Sequence, residues 1–250
     1  MIFVTVNDIL EYLDSRFPLS LACEFDNSGL LIGNKDAIIT KGVVALDCTD
    51  SCIEFAKQIG ANLIVAHHPI MFGGINKVLA DSTEYKLISN NISLIAMHTN
   101  LDLAEGGLND ELCKVLGLKN VKIHPCDDFA IRLGELECEM APCDFAKYVG
   151  ERLNHPAIKY VAGKNNVKTV GLCSGSGGEF LTDAIKNGAD AYVSGDIKHH
   201  LFVEAENKRF TLLDAGHSET EIIAVDLLKK TLDACKTEFL VFKEKSIKYT

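Results

Sequence analysis

A chain of 250 residues, 47% hydrophobic and 24% charged, is long and apolar enough to bury one large core or two smaller ones, which excludes a disordered or fibrous protein. Its formal net charge of −10 and pI near 5.3 argue against a broad phosphate-backbone footprint, so nucleic acid is not an expected partner. The opening "MIFVTVNDIL" carries no basic leader, and no apolar run approaches the roughly 18 residues that span a bilayer, so the chain reads as cytoplasmic with no membrane partner.

The elements follow in chain order. "TVNDILEYLDSRF" (5–17) has an N-terminal capping pattern and helical spacing of Ile9, Leu10 and Leu13. "EFDNSGLLIG" (24–33) sets an acidic-amide turn before an apolar run, with Asp26 and Asn27 read as turn formers. "GVVALD" (42–47) predicts a buried strand, "TDSCIEFAKQIG" (49–60) a capped helix and "NLIVA" (62–66) the next strand, which makes a βαβ unit. A helix at "STEYKLISNN" (82–91), a strand at "SLIAMH" (93–98) and a helix at "GLNDELCKVLGL" (107–118) continue the alternation. Residues 126–165 are less regular: "FAIRLGELEC" suggests a strand, "APCDFAKYVGERL" a helix and "AIKYVAG" a strand, and the segment is expected to bridge two lobes. Alternation resumes with "VKTVGLC", a Gly-rich turn, "EFLTDAIKNG", "ADAYVSG", "DIKHHLFVEAENK", "RFTLLDAG" and a long helix over "TEIIAVDLLKKTLDACK". The nine cysteines are odd in number, form no C-x-x-C pair and fall in apolar segments, so reduced structural thiols are expected.

The chemistry collects at strand ends. "LIVAHHPIMFGG" places His67 and His68 where a buried strand gives way to a loop, the usual place for chemistry in a parallel α/β sheet. A satisfied histidine beside an exposed one would produce the same stretch. "MHTNLDLAEGG" adds His98 and Asp102, and "LLDAGHSETE" adds His217, Glu219 and Glu221. His217 and Glu221 are four apart and share a helix face if the helix includes both, whereas Ser218-x-x-Glu221 is also a capping box. Two imidazoles, an aspartate and a His/Glu pair make five N/O ligands with no sulfur. That exceeds one catalytic zinc and suits two divalent ions bridged by a carboxylate and a water, with zinc, iron or manganese the fitting metals. His98, His199 and His200 stand as candidate proton donors or as partners orienting the ligands. "CSGSGGEF" (173–180) offers either backbone N–H groups to an anion or a tight strand-to-helix turn, and it lacks the P-loop lysine.

Together "EFDNSGLLIG", "AHHPIMFGG", "HTNLDLAEGG", "ADAYVSGDIKHH" and "DAGHSETE" resemble, in order and spacing, the motifs of the NGG-interacting-factor-like family of dinuclear metal proteins, whose members often bear the name GTP cyclohydrolase 1 type 2. The resemblance runs over nearly the whole chain. Two departures touch no ligand: Phe25 stands where the family has tryptophan, and 250 residues leave no room for the large inserted domain of longer members.

The resemblance implies an α/β protein of two lobes, with mostly parallel sheets in a layered αβα arrangement and a metal cleft between them. The N-terminal lobe is expected over 1–125, and a C-terminal lobe over 126–250 completes the site. It further implies a toroidal homohexamer in which His67 and His217 bind one ion, His68 and Asp102 the other, and Glu221 bridges them. The family name points to a hydrolase in which a metal-bound water attacks the ring of GTP or a similar cyclic C–N substrate, with His98, His199 or His200 moving protons. A non-catalytic metal-holding assembly that acts through a protein partner is the other reading.

Overall fold

The computed structural model describes residues 4–127, 129–155 and 157–244. They form a mixed α/β protein of two compact units, the first made of the residues up to Gly107 together with Ala224–Glu244, the second of Leu108–Ile223. Each unit is built on one sheet.

The first unit contains β1 (Gly29–Ile32), β2 (Gly42–Ala45), β3 (Leu63–Ala66) and β4 (Ser93–Ala96). The second contains β5 (Lys119–Cys126), β6 (Phe129–Met140), β7 (Lys159–Val161), β8 (Val167–Leu172), β9 (Ala191–Ser194) and β10 (Thr211–Asp214). The chain then returns to the first unit with β11 (Phe239–Phe242).

The first sheet has the order β1-β4-β3-β2-β11, parallel throughout except for β1 on β4. β2, β3 and β4 are buried at every position, as parallel strands covered on both faces must be. The helices Asp50–Ile59 and Thr83–Ser89 start on capping hydroxyls: Cys52 N–H donates to Thr49 Oγ1 at 3.2 Å and Tyr85 N–H to Ser82 Oγ at 3.3 Å. The first of them stops at Gly60, whose φ of 71° is the left-handed conformation that a C-terminal glycine supplies without strain. Helix Val6–Arg16 opens with a reciprocal Thr5–Asp8 capping box and buries Val6, Ile9 and Leu13.

The second sheet has the order β5-β6-β8-β9-β10-β7. Its central strands β8, β9 and β10 run parallel, while β5, β6 and β7 add antiparallel pairs on either side. Residues 126–165 are therefore not a bridge between lobes. β6 lies inside this sheet and β7 at its far edge against β10. Helix Pro142–Arg152 packs Phe145 and Val149 with Val170, Val193 and Leu213, and Leu181, Tyr192 and Ala205 form a second cluster. The single long helix expected over 220–236 is two, His217–Glu221 and Ile223–Leu232. Among the described residues, no helix is long and apolar enough to cross a membrane.

Candidate metal centre

In the first unit the carboxyl ends of three adjacent parallel strands bring the polar residues together. β2 leads to Asp47, β3 to His67 and His68, and β4 to His98. The backbone of the histidine pair stays alongside the continuation of β2, with His67 N–H donating to Ala45 O at 3.2 Å and His68 N–H to Leu46 O at 3.0 Å. The two imidazoles lie with centroids 4.9 Å apart, and His98 stands 5.3 Å from His67 and 5.7 Å from His68. One ring nitrogen from each comes within 4.8 Å of the others. Asp102, buried in the short helix Thr99–Leu103, places Oδ1 3.8 Å from His67 Nε2.

The Nδ1 atoms explain how these rings are aimed. His67 Nδ1–H donates to Met97 O at 2.7 Å, His68 Nδ1–H to Asp47 Oδ1 at 2.7 Å and His98 Nδ1–H to Asp26 Oδ1 at 2.8 Å. Carbonyl and carboxylate oxygens only accept, so the ring proton sits on Nδ1 and Nε2 is left as the nitrogen that could hold an ion. This is the usual condition of a metal-binding histidine, and the donor set of imidazole and carboxylate fits a divalent zinc, iron or manganese ion.

The second unit repeats the device at the carboxyl ends of β8, β9 and β10. There lie Gly175, Asp196 and His217 in turn. His217 Nδ1–H donates to Asp196 Oδ2 at 2.7 Å, and His217 Nε2 lies 3.0 Å from Glu221 Oε2. The Glu221 carboxylate, with Asp196 adding to it, outweighs burial and pushes the His217 imidazole up to about 9. The capping-box alternative meets a different geometry: helix His217–Glu221 is capped by Gly216, and Ser218 Oγ donates to Glu219 Oε2 at 3.0 Å. His199 and His200 open the helix His199–Lys208, both exposed, beyond Asp196 in the chain.

The Gly-rich turn serves this pair. Gly175, at φ 58°, passes so close to Glu221 that a Cβ there would fall 2.1 Å from Oε1 and 3.4 Å from His217 Nε2. Three of the turn's N–H groups are already engaged: Ser174 donates to Asn109 Oδ1 at 2.8 Å, Gly175 to Thr220 Oγ1 at 3.0 Å and Gly177 to Ser194 Oγ at 2.9 Å. Of its two readings, the strand-to-helix turn is the one the hydrogen bonds favour.

Asp26 does more than form a turn. Its fully buried carboxylate accepts from Asn27 N–H, Ser28 Oγ, Thr99 N–H, Thr99 Oγ1 and His98 Nδ1, at 2.6 to 3.0 Å. Burial alone would raise its pKa, but the bonds from His98, Thr99 and Ser28 prevail and hold the carboxyl well below the usual range. Asp26→Ala leaves these donors without their acceptor and should cost about 2–4 kcal/mol of stability in urea denaturation, with Asp26→Asn losing less.

Residues 4–247 match the model of the Duf34/NIF3 (NGG1p interacting factor 3) family. The chain belongs to the Duf34/NIF3 family. A relative from Clostridium perfringens called GTP cyclohydrolase 1 type 2 homolog is 35% identical, the match covering 96% of each chain. One of the same name from Campylobacter jejuni is 33% identical over 96% of this chain and 97% of its own. The crystal structure of Staphylococcus aureus hypothetical protein SA1388 superposes with a TM-score of 0.88 at 30% identity, covering 98% of this chain and 99% of the other. These relatives thus match nearly the whole length of the chain.

Proposed function

We propose that this Duf34/NIF3 chain is a cytoplasmic metal-dependent hydrolase acting on the ring of a purine nucleotide such as GTP, or on a similar cyclic C–N substrate. His67, His68, Asp102, His217 and Glu221 would hold two divalent ions per chain, with Glu221 serving both. The observation that supports this reading is the anchoring of Nδ1 on His67, His68 and His217, which leaves Nε2 as the nitrogen available to a metal ion. The name borne by the 35% identical Clostridium perfringens relative supplies the substrate class.

Divalent ions held by such a donor set lower the pKa of water and polarise the substrate's reacting group. The chain's own residues do the rest. His98 Nε2 accepts the proton of the attacking water and returns it to the departing ring nitrogen, a second water then cleaves the resulting formamide to free formate, and Asp26 holds His98 in the Nδ1–H form throughout. His199 and His200 are alternative proton carriers in the same reading. Protein loaded with zinc, manganese or iron should release formate from GTP, and failure with every metal would falsify the cyclohydrolase assignment. A fully metallated but inert protein would instead favour a binding assembly.

The same reading places six chains in a closed ring. Light scattering should return a mass near six times the 27.3 kDa of one chain. A monomer would remove the ring and leave the ligand set untouched, because the proposed ligands all come from one chain.

A further inference from the structure

The loop after the histidine pair carries an aromatic side chain that the core does not use. Pro69 is buried and Ile70 packs on the core of the first unit, whereas residues 72–81 are exposed throughout. The change falls at Phe72, which is 58% exposed. Its ring meets His98 edge to face, with centroids 5.8 Å apart and planes 68° apart. The backbone just before it is pinned, since Asn27 Nδ2 donates to Met71 O at 3.1 Å and Asn27 belongs to the turn whose Asp26 holds His98. Just after it, Gly73 and Gly74 have nothing within 4 Å of the place a Cβ would take. The backbone before Phe72 is thus held while its ring stays more than half exposed.

A lone exposed phenylalanine is ordinary on a protein surface. Phe72 differs because its ring lies against His98, which clusters with the imidazoles of His67 and His68 and is held by the Asp26 carboxylate. A ligand with an aromatic face and a polar edge matches both surfaces.

We propose that Phe72 is a substrate-binding residue that stacks against a planar heteroaromatic ring, a purine base under the hydrolase reading on which this inference rests. A phenylalanine offers no hydrogen bond, so it grips the face of the base and is indifferent to the pattern on its edge. GTP and ATP therefore bind within a few-fold of each other, and discrimination between them comes from elsewhere in the site.

The chain contains no tryptophan, so Phe72→Trp installs a single fluorescent reporter. In the zinc-loaded full chain, GTP and ATP should quench the new indole saturably, and inorganic triphosphate should not. By equilibrium dialysis, Phe72→Ala and Phe72→Leu should both bind GTP about tenfold or more weakly than the unsubstituted protein. Absence of quenching, wild-type affinity in Phe72→Leu, or triphosphate binding as tight as GTP overturns the proposal. Quenching without formate release from GTP overturns the hydrolase reading and leaves the stacking intact. Formate release by Phe72→Ala with unchanged KM does the reverse.

Discussion

Gly175→Ala should strip the protein of most of its metal while leaving it folded. The added Cβ would sit 2.1 Å from Glu221 Oε1, and the movable party is the end of the glutamate side chain. Glu221 would rotate out of the position in which it meets His217 at 3.0 Å. Displacing a ligand in this way lowers metal affinity by about 10–100-fold or more. The left-handed backbone at Gly175 adds roughly 1–2 kcal/mol of strain for alanine, and Gly60→Ala separates the two effects. Gly60 has φ 71° with open space around it, so that variant carries the strain without the collision and should keep its full metal content. Glu221→Gln should lose more metal in elemental analysis than replacement of either His67 or His68, because the proposed ligand set has Glu221 serve both ions. Equal, small losses from all three would remove Glu221 from the bridging role.

Asp102→Ala should abolish formate release from GTP, a fall of at least about 100-fold in kcat, with little change in folding. The carboxylate lies 3.8 Å from His67 Nε2 in a helix of five residues. Removing it takes away one negative charge from the proposed ligand set. Its contribution to that helix start is about 0.3–1 kcal/mol, too little to unfold the unit. A circular dichroism melt within a few degrees of the parent, together with lost metal and lost formate, is the expected combination. Retained turnover would place the reacting centre away from Asp102.

The strands that present the candidate ligands were legible because their signal is simple. "GVVALD", "NLIVA" and "SLIAMH" read as buried strands, and β2, β3 and β4 occupy them. The polar residues just beyond them stood out for the same reason. Their partners obeyed the same rule unnoticed: Asp47 and Asp196 also lie directly past strand ends, and each anchors an Nδ1. What concealed them is that an aspartate after a strand is also what a turn or helix cap requires. Gly175 could not be recognised at all, since its role is an absence of volume beside a residue 46 positions away. β5 escaped because seven of its eight residues are exposed or half-buried and show no alternation, and β11 because four residues of "FLVF" fit a strand or a helix end equally. The long helix over 220–236 hid its break because Ile222 keeps near-helical angles, so hydrophobic spacing runs on across it.

The return of β11 to the first sheet has a consequence for how the protein is made. The second unit is contiguous, Leu108–Ile223, and all its pairing partners are present once the ribosome has released that segment. The first unit begins earlier but ends later, because β2 finds its outer neighbour only in Phe239–Phe242, almost 200 residues downstream. Until then β2 is an open edge of fully buried-type sequence, a template for pairing with other chains. Synthesis should therefore complete the later-encoded unit first. A chain stopped at Ile223 should retain the second unit's protease resistance and aggregate through the first.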